Sequence, residues 1–204
     1  MVSIAALVSG GGTNLQALID AQSAGTLKSG RLALVVSSKA EAYALNRAKT
    51  AGIETAVLPK LESSERYGEE LLKLLAAHSI DMVVLAGFML ILHPTVIKAY
   101  ENRILNVHPS LIPSFCGSGF YGLKVHKAAL DYGVKVTGAT VHLVNDVPDG
   151  GKILAQKAVK VRPGDTPETL QKRVMEQAEW RLLPRETEKL ARALAKEKRS
   201  GKPL

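Results

Sequence analysis

The sequence contains very little cysteine and no long apolar run. Only one of its 204 residues is a cysteine, Cys116, so no disulfide can form within the chain, and a secreted fold built on disulfides is excluded. Apolar stretches fall well short of the roughly 18 residues that a membrane-spanning helix needs. Residues 1–8 lack the basic start of a signal peptide. These absences predict a cytoplasmic protein that does not interact with a membrane.

Acidic residues are also few: 19 Asp and Glu stand against 27 Lys and Arg, for a net charge of +8. Residues 185–204 hold seven of the basic and three of the acidic residues, which accounts for half of that charge. No aromatic residues alternate with these charges, as they would in a protein that binds single-stranded nucleic acid. We therefore expect residues 185–204 to be a solvated, basic helix end with a frayed tail, and we expect no nucleic-acid partner.

Short apolar runs alternate with helical patterns through the first half of the chain. The runs are continuous and aliphatic, which is typical of strands buried on both faces of a parallel sheet. The predicted strands are Ile4–Val8, Leu32–Val36, Thr55–Leu58, Asp81–Ala86 and Ile104–His108, and the predicted helices are Asn14–Ala24, Ala40–Ala51, Ser63–His78, Pro94–Tyr100 and Lys124–Tyr132. This alternation predicts an α/β fold with a doubly wound, mostly parallel sheet.

The pattern changes in the second half. Val136–Val144 and Ile153–Val161 are two long predicted strands, and the segment between them contains Pro148 and two glycines. Proline and glycine favour turns, so the two strands are expected to form an antiparallel hairpin. Thr166 then caps a final helix. The length fits a single domain over residues 1–204.

A glycine-rich loop follows the first strand, with Gly10, Gly11 and Gly12 before Thr13 and Asn14. Backbone amides at a helix N-terminus bind anions, and glycines let a ligand approach closely. The loop lacks the third glycine of a dinucleotide fingerprint and the Gly-Lys-Ser/Thr of a Walker loop. It therefore predicts a monophosphate site, with an ordinary glycine turn as the alternative.

The fifth predicted strand ends with Asn106 and His108. Alternate residues of a strand share a face, so both side chains point into the crevice at the carboxyl end of the sheet. An amide and an imidazole there can stabilise an oxyanion and move a proton. Asp149 lies in the hairpin turn, where a carboxylate folded over His108 would raise its pKa. The alternatives are that His108 has only a structural role and that Asp149 belongs to an ordinary Asp-Gly turn. The chain has no His-x-x-x-His spacing that would indicate a metal site.

Four segments together resemble the phosphoribosylglycinamide formyltransferase family: SGGGTNLQALID, LAGFMLILHP, ILNVHPSLIPSF and TVHLVNDVPDGG. The resemblance covers residues 1–184 and implies a Rossmann-like fold. It implies formyl transfer from 10-formyltetrahydrofolate to the amine of glycinamide ribonucleotide in purine biosynthesis, through a tetrahedral intermediate and without a metal. It further divides the chain into a phosphate-binding half (1–100), a folate and catalytic half (101–184) and the basic end (185–204). It implies no oligomeric state.

The resemblance also implies roles for particular residues. Asn106 and His108 would be catalytic and would stabilise the intermediate, with Asp149 assisting proton transfer. The ribonucleotide and its phosphate would be bound by Gly12, Thr13, Asn14 and Glu179. Folate would be bound by Met89, Leu90, Ile91, Leu92, Asn106, Asn145, Asp146, Val147, Pro148, Asp149 and Arg66.

The sequence departs from the family pattern at several points. Leu90 stands where members often carry arginine. Ser64 stands near a position where some members carry arginine, and Arg66 is close by and could substitute. One extra residue lies between Asp165 and Glu179, and an insert follows the catalytic strand at Cys116–Gly122.

Three other functions fit parts of the pattern. A 10-formyltetrahydrofolate hydrolase usually has an extra N-terminal domain, and a methionyl-tRNA formyltransferase usually has an extra C-terminal one. A non-enzymatic nucleotide-binding module would use only the glycine loop.

Overall fold

The computed structural model describes residues 1–201, so the end of the predicted frayed tail, at residues 202–204, lies outside the described residues. Seven strands form one sheet in the order β3-β2-β1-β4-β5-β6-β7. They are β1 (Val2–Val8), β2 (Gly30–Ser37), β3 (Glu54–Val57), β4 (Met82–Leu85), β5 (Ile104–His108), β6 (Val136–Leu143) and β7 (Ile153–Lys160). The first five run parallel, while β6 and β7 are antiparallel. The predicted fold class and C-terminal hairpin are confirmed.

Helices cover both faces of the sheet. They are α1 (Thr13–Ser23), α2 (Tyr43–Thr50), α3 (Ser64–Ala77), α4 (Pro94–Ala99), α5 (Leu123–Tyr132), α6 (Pro167–Val174) and α7 (Trp180–Ser200). One core lies between the sheet and α1, α6 and α7, and the other lies under α3 and α4. This double coverage explains why β4 is apolar along its whole length and why β1 is apolar at every position except Ser3.

Some elements end a few residues from their predicted bounds. Helix α2 begins at Tyr43 rather than Ala40, because residues 39–42 form a turn in which the Ala42 amide donates to the Lys39 carbonyl at 3.3 Å. Strand β6 ends at Leu143 and β7 at Lys160, one residue early in each case. These are the small errors expected at the ends of elements, where hydrogen bonding rather than hydropathy decides the boundary.

The basic end of the chain is more than a solvated helix end. Helix α7 continues to Ser200 and buries one face, including Leu183, Ala191 and Leu194, in the core beside α1. The buried Glu188 carboxylate accepts hydrogen bonds from the backbone amides of Lys28 and Ser29, both at 2.8 Å. The prediction of a solvated segment is therefore wrong for this face, and residues 185–200 help to hold the α1–β2 connection in place.

A π-helical turn, Met175–Glu179, joins α6 to α7 without a break in the helical chain. A π turn closes its hydrogen bonds over i→i+5, so it holds one residue more than an α turn. The turn lies between Asp165 and Glu179, where the resemblance implies one extra residue. Glu179, at the end of the turn, contacts Asn14 of α1.

The order of the strands reverses at β1, which has β2 on one side and β4 on the other. In open α/β sheets such a switch point forms a crevice at the carboxyl ends of the strands. The glycine loop follows β1, and the 86–92 segment follows β4. In residues 1–201 no helix combines the length and apolarity needed to cross a membrane.

Candidate active site

Three predicted catalytic side chains meet at the carboxyl end of β5. Asn106 and His108 come from β5, and Asp149 comes from the turn between β6 and β7. Asp149 has a φ of 55°, in the left-handed region that aspartate tolerates better than most residues. This conformation turns the tip of the hairpin back over β5, and the side chains of Asp149 and His108 come into contact.

The Asp149 carboxylate is the centre of this cluster. Its Oδ2 lies 3.3 Å from His108 Nδ1 and accepts a 2.8 Å hydrogen bond from the Gly117 amide. Its Oδ1 accepts from Asn106 Nδ2 at 3.3 Å and lies 3.5 Å from His142 Nε2. Both oxygens therefore have polar partners, which is what an ionised carboxylate in a mostly buried position requires.

His142 also contacts the cluster, although no motif marks it in the sequence. It lies directly opposite Asn106 in the antiparallel pairing of β5 with β6. Its Nδ1 lies 2.8 Å from the Leu143 carbonyl oxygen, and its Nε2 lies 3.1 Å from Asn106 Nδ2. Only the register of the two strands places His142 here, and the sequence alone does not specify that register.

Burial and charge oppose each other at His108, which is only 4% exposed. Burial lowers its pKa, while Asp149 and the Phe115 carbonyl raise it, and the net result is a pKa below the ordinary value. Asp149 thus raises the pKa of His108 as expected, but in the free protein burial outweighs the carboxylate and the net pKa is lowered. For Asp149, burial raises the pKa, but the His142 and Gly117 hydrogen bonds and the nearby histidines together hold it below its usual value.

Two other groups near His108 are unreactive at neutral pH. His126 on α5 is fully buried, and burial together with repulsion from His108 lowers its pKa to about 4, so its ring is neutral. Burial and the Asp149 charge raise the pKa of the Cys116 thiol, which donates to the Pro113 carbonyl. A protonated thiol is a poor nucleophile, which argues against covalent catalysis by Cys116.

The glycine loop and Glu179 come together across 165 residues of sequence. Asn14 Nδ2 donates to Glu179 Oε2 at 2.7 Å, and Thr13 Oγ1 lies 3.6 Å from the sulfur of Met175 in the π turn. Gly12 has a φ of 73°, and a Cβ atom there would lie 2.6 Å from the Cβ of Ala44, so the position requires glycine. Burial raises the pKa of Glu179 to about 7, against the lowering effect of Asn14.

Two residues that the sequence analysis did not select also shape this crevice. Arg47 Nε donates to the Gly11 carbonyl at 2.8 Å, which puts a positive charge beside the glycine loop. Ser9 Oγ accepts from the Met89 amide at 2.9 Å and is 2.6 Å from Ser38 Oγ. Ser9 thus links the loop after β1 to the segment after β4.

The predicted folate segments differ in exposure. Met89 and Ile91 are exposed, whereas Leu90 and Leu92 pack into the core under α3 and α4. In the other segment Asn145 Oδ1 accepts from the Val147 amide at 3.1 Å, and the side chains of residues 145–148 are exposed around it. The exposed guanidinium of Arg66 lies 3.5 Å from Glu62.

Among residues 1–201 the structure places no three His, Cys, Asp or Glu side chains close enough to hold a metal ion. The site combines an acid–base cluster with the glycine loop and an exposed apolar segment at the same edge of the sheet.

Comparison with known proteins gives consistent matches. The formyl transferase family matches residues 2–187. The phosphoribosylglycinamide formyltransferase of Escherichia coli (strain K12) is 42% identical over 178 residues, covering 86% of this chain and 81% of that protein. The chloroplastic enzyme of the same name from Arabidopsis thaliana is 41% identical, and the match covers 84% of this chain and 60% of that protein.

Solved structures agree with these sequence matches. Glycinamide ribonucleotide transformylase 1 from Symbiobacterium toebii superposes with a TM-score of 0.88 at 40% identity, covering 95% of this chain and 89% of the other.

A further sequence match, to the trifunctional purine biosynthetic protein of Gallus gallus, is 44% identical and covers 90% of this chain but only 18% of that protein. These matches confirm the resemblance seen in the sequence, and the chain belongs to the formyl transferase family, in the group of the phosphoribosylglycinamide formyltransferases.

Proposed function

We propose that this chain transfers a formyl group from 10-formyltetrahydrofolate to the amine of glycinamide ribonucleotide, in the purine biosynthesis of the cytoplasm. The family implies a folate-type formyl donor. The observation that carries the proposal is the contact of His108 Nδ1 with Asp149 Oδ2 at 3.3 Å, beside Asn106. These groups suit acyl transfer, which needs a hydrogen-bond donor for an oxyanion and a route for a proton.

The ribonucleotide would bind at the glycine loop. The amides of Gly12, Thr13 and Asn14 lie at the N-terminus of α1, where the helix dipole favours a phosphate. Arg47 adds a full positive charge to the same loop. Glu179, held by Asn14, would accept a hydrogen bond from a sugar hydroxyl or the substrate amine when its carboxyl group is ionised, because the ionised form is only an acceptor.

The folate would lie between the 89–92 segment and the 145–149 turn. Met89, Ile91 and Val147 are exposed apolar side chains that a flat ring can cover. Leu90 and Leu92 would act by fixing the backbone of their segment, because their side chains pack in the core. Asn145, Asp146 and Pro148 would shape the turn, and Arg66 would attract the carboxylates of the folate.

In the reaction the substrate amine would attack the formyl carbon, and the carbonyl electrons would move to oxygen. Asn106 Nδ2 would donate to that oxygen, for which it must give up its bond to Asp149 or His142. The amine would lose its proton to the His108–Asp149 pair. The carbonyl would then re-form as the bond between the formyl carbon and the folate nitrogen breaks, and that nitrogen would gain a proton as it leaves. Asp149 would stabilise the imidazolium form of His108 while the proton is in transit.

The experiment is a comparison of formyl acceptors. We expect turnover with glycinamide ribonucleotide and at least about 100-fold slower turnover with water or with methionyl-tRNA. Asn106→Ala should lower kcat by about 10²–10³-fold, the usual cost of losing one oxyanion donor. His78→Asn is the matched control, because His78 pairs with Glu54 at the opposite edge of the sheet. Equal rates with water and with the ribonucleotide would contradict the proposal.

A further inference from the structure

The segment after β5 contacts both members of the His108–Asp149 pair through its backbone. The Phe115 carbonyl oxygen lies 2.8 Å from His108 Nε2. Two residues later, the Gly117 amide donates to Asp149 Oδ2 at 2.8 Å. Each contact is as short as an ordinary strong hydrogen bond. The pair is therefore held from this segment as well as from β5 and the hairpin.

The first contact determines where His108 carries its proton. A carbonyl oxygen can only accept, so Nε2 must be the protonated nitrogen of a neutral ring. Nδ1 then has a free lone pair and faces Asp149 Oδ2 at 3.3 Å. A proton taken up by the ring therefore arrives at Nδ1, next to the carboxylate. Without the carbonyl, the neutral ring could carry its single proton on Nδ1, facing Asp149. Nδ1 could then not act as a base.

Phe115 holds this carbonyl in a costly conformation. Its φ is 50°, in the left-handed region that bulky residues rarely adopt. Two aromatic rings contact its side chain edge to face: Phe120 at 6.4 Å and 62°, and Tyr132 at 6.0 Å and 73°. Edge-to-face pairs at these distances are favourable. The rings come from the insert and from the C-terminal end of α5, so they brace Phe115 from two elements.

We propose that Phe115 is a positioning residue of the site: packing of its ring against Phe120 and Tyr132 holds its carbonyl on His108 Nε2. Nδ1 is thereby kept as the nitrogen that exchanges a proton next to Asp149. Phe120 belongs to the insert Cys116–Gly122. Through the packing of this ring on Phe115, the insert acts on His108 from outside the crevice. The effect on turnover rests on the proposed function, whereas the protonation state of the ring does not.

The kinetic test is Phe115→Ala, which keeps the carbonyl but removes the ring. We expect kcat to fall about tenfold, with KM for both substrates unchanged within about twofold. Phe115→Tyr keeps the ring and should restore kcat to within about twofold. The matched control is Tyr121→Ala, because the Tyr121 ring packs on Lys124 of α5, 4.5 Å from its nitrogen. A loss in Tyr121→Ala equal to that in Phe115→Ala would overturn the proposal.

The second test measures the imidazole directly, by ¹⁵N NMR of histidine-labelled free protein. We expect wild-type His108 to carry its proton on Nε2, and Phe115→Ala to show a mixture of the two neutral forms. An unchanged Nε2–H form in Phe115→Ala would overturn the proposal even if kcat fell. If the NMR result holds while no acceptor is formylated, the proposed function fails and the positioning role stands.

A third variant covers the case in which Phe115→Ala does not fold. Tyr132 is 81% exposed, so Tyr132→Ala should fold like the wild type. It should lower kcat about threefold and shift the neutral forms of His108 in the same direction. Wild-type turnover together with a wild-type NMR signal in this variant would overturn the role of the aromatic contacts.

Discussion

Replacing Glu179 by glutamine should make the protein more stable at alkaline pH. Glu179 is 5% exposed, and the Asn14 amide at 2.7 Å does not offset its burial. Its pKa therefore rises from 4.5 to about 7. At about 1.4 kcal/mol per pKa unit, this shift corresponds to roughly 3 kcal/mol of stability lost when the carboxyl ionises.

The pH dependence has a definite direction. Between the unfolded pKa of 4.5 and the folded pKa of about 7, the folded chain holds a proton that the unfolded chain has lost. The free energy of unfolding must then fall as pH rises through this window. Glutamine does not ionise, and it offers Asn14 the same acceptor oxygen. We expect Glu179→Gln to exceed the wild type by about 3 kcal/mol at pH 8, and most of the difference to vanish near pH 5.

Urea unfolding of both chains from pH 5 to pH 8 measures this difference. The matched control is Glu176→Gln, because Glu176 lies in the same π turn and its side chain is 47% exposed. Within residues 1–201 its one ion pair is with Lys172, at 3.9 Å. A surface pair of this kind contributes little, so the control should differ from the wild type by less than about 1 kcal/mol at every pH. A difference between Glu179→Gln and the wild type that does not change with pH would refute the reasoning.

Two further predictions concern polar contacts outside the His108–Asp149 pair. Asp165→Asn breaks the pair of 2.6 Å contacts with Arg173, and we expect urea unfolding at pH 7 to show a loss of about 2 kcal/mol. Because Arg173 lowers the pKa of Asp165, this loss should shrink as pH falls below the ordinary value of 3.8, and an unchanged stability at pH 7 would contradict it. Ser9→Ala removes the acceptor of the Met89 amide, so steady-state kinetics should show a rise of about threefold or more in KM for the folate. A larger rise in KM for the ribonucleotide would show that Ser9 acts on the glycine loop instead.

The electrostatics of the site depend on burial as much as on charge. Asp149 favours the protonated form of His108, yet burial leaves the ring neutral at neutral pH in the free protein. A neutral imidazole beside an ionised carboxylate can accept the proton that the attacking amine loses.

Much of the fold followed from local patterns in the sequence. Strand β5 was predicted to the residue, because an apolar run that ends in Asn106, His108 and a proline has few other conformations. The hairpin was predicted from Pro148 and its neighbouring glycines. The prediction that Asn106 and His108 lie on one face also followed from local sequence, since alternate residues of a strand always share a face.

Contacts between distant segments could not be predicted from local sequence patterns. His142 joins the site only because β6 pairs with β5 in one particular register. The backbone groups of Phe115 and Gly117 carry no signal in their residue type, because every residue except proline has both a carbonyl and an amide.

The sequence by itself determined the α/β class, the family and the residues Asn106, His108 and Asp149 as candidates, because hydropathy, turn residues and motif spacing are properties of neighbours along the chain. Only the tertiary structure decided that Asp149 reaches His108, that Asn14 reaches Glu179 through a π turn, and that burial lowers the pKa of His108. Each of these depends on which groups the fold removes from water and sets side by side, and such distances and burials arise only when the whole chain is packed.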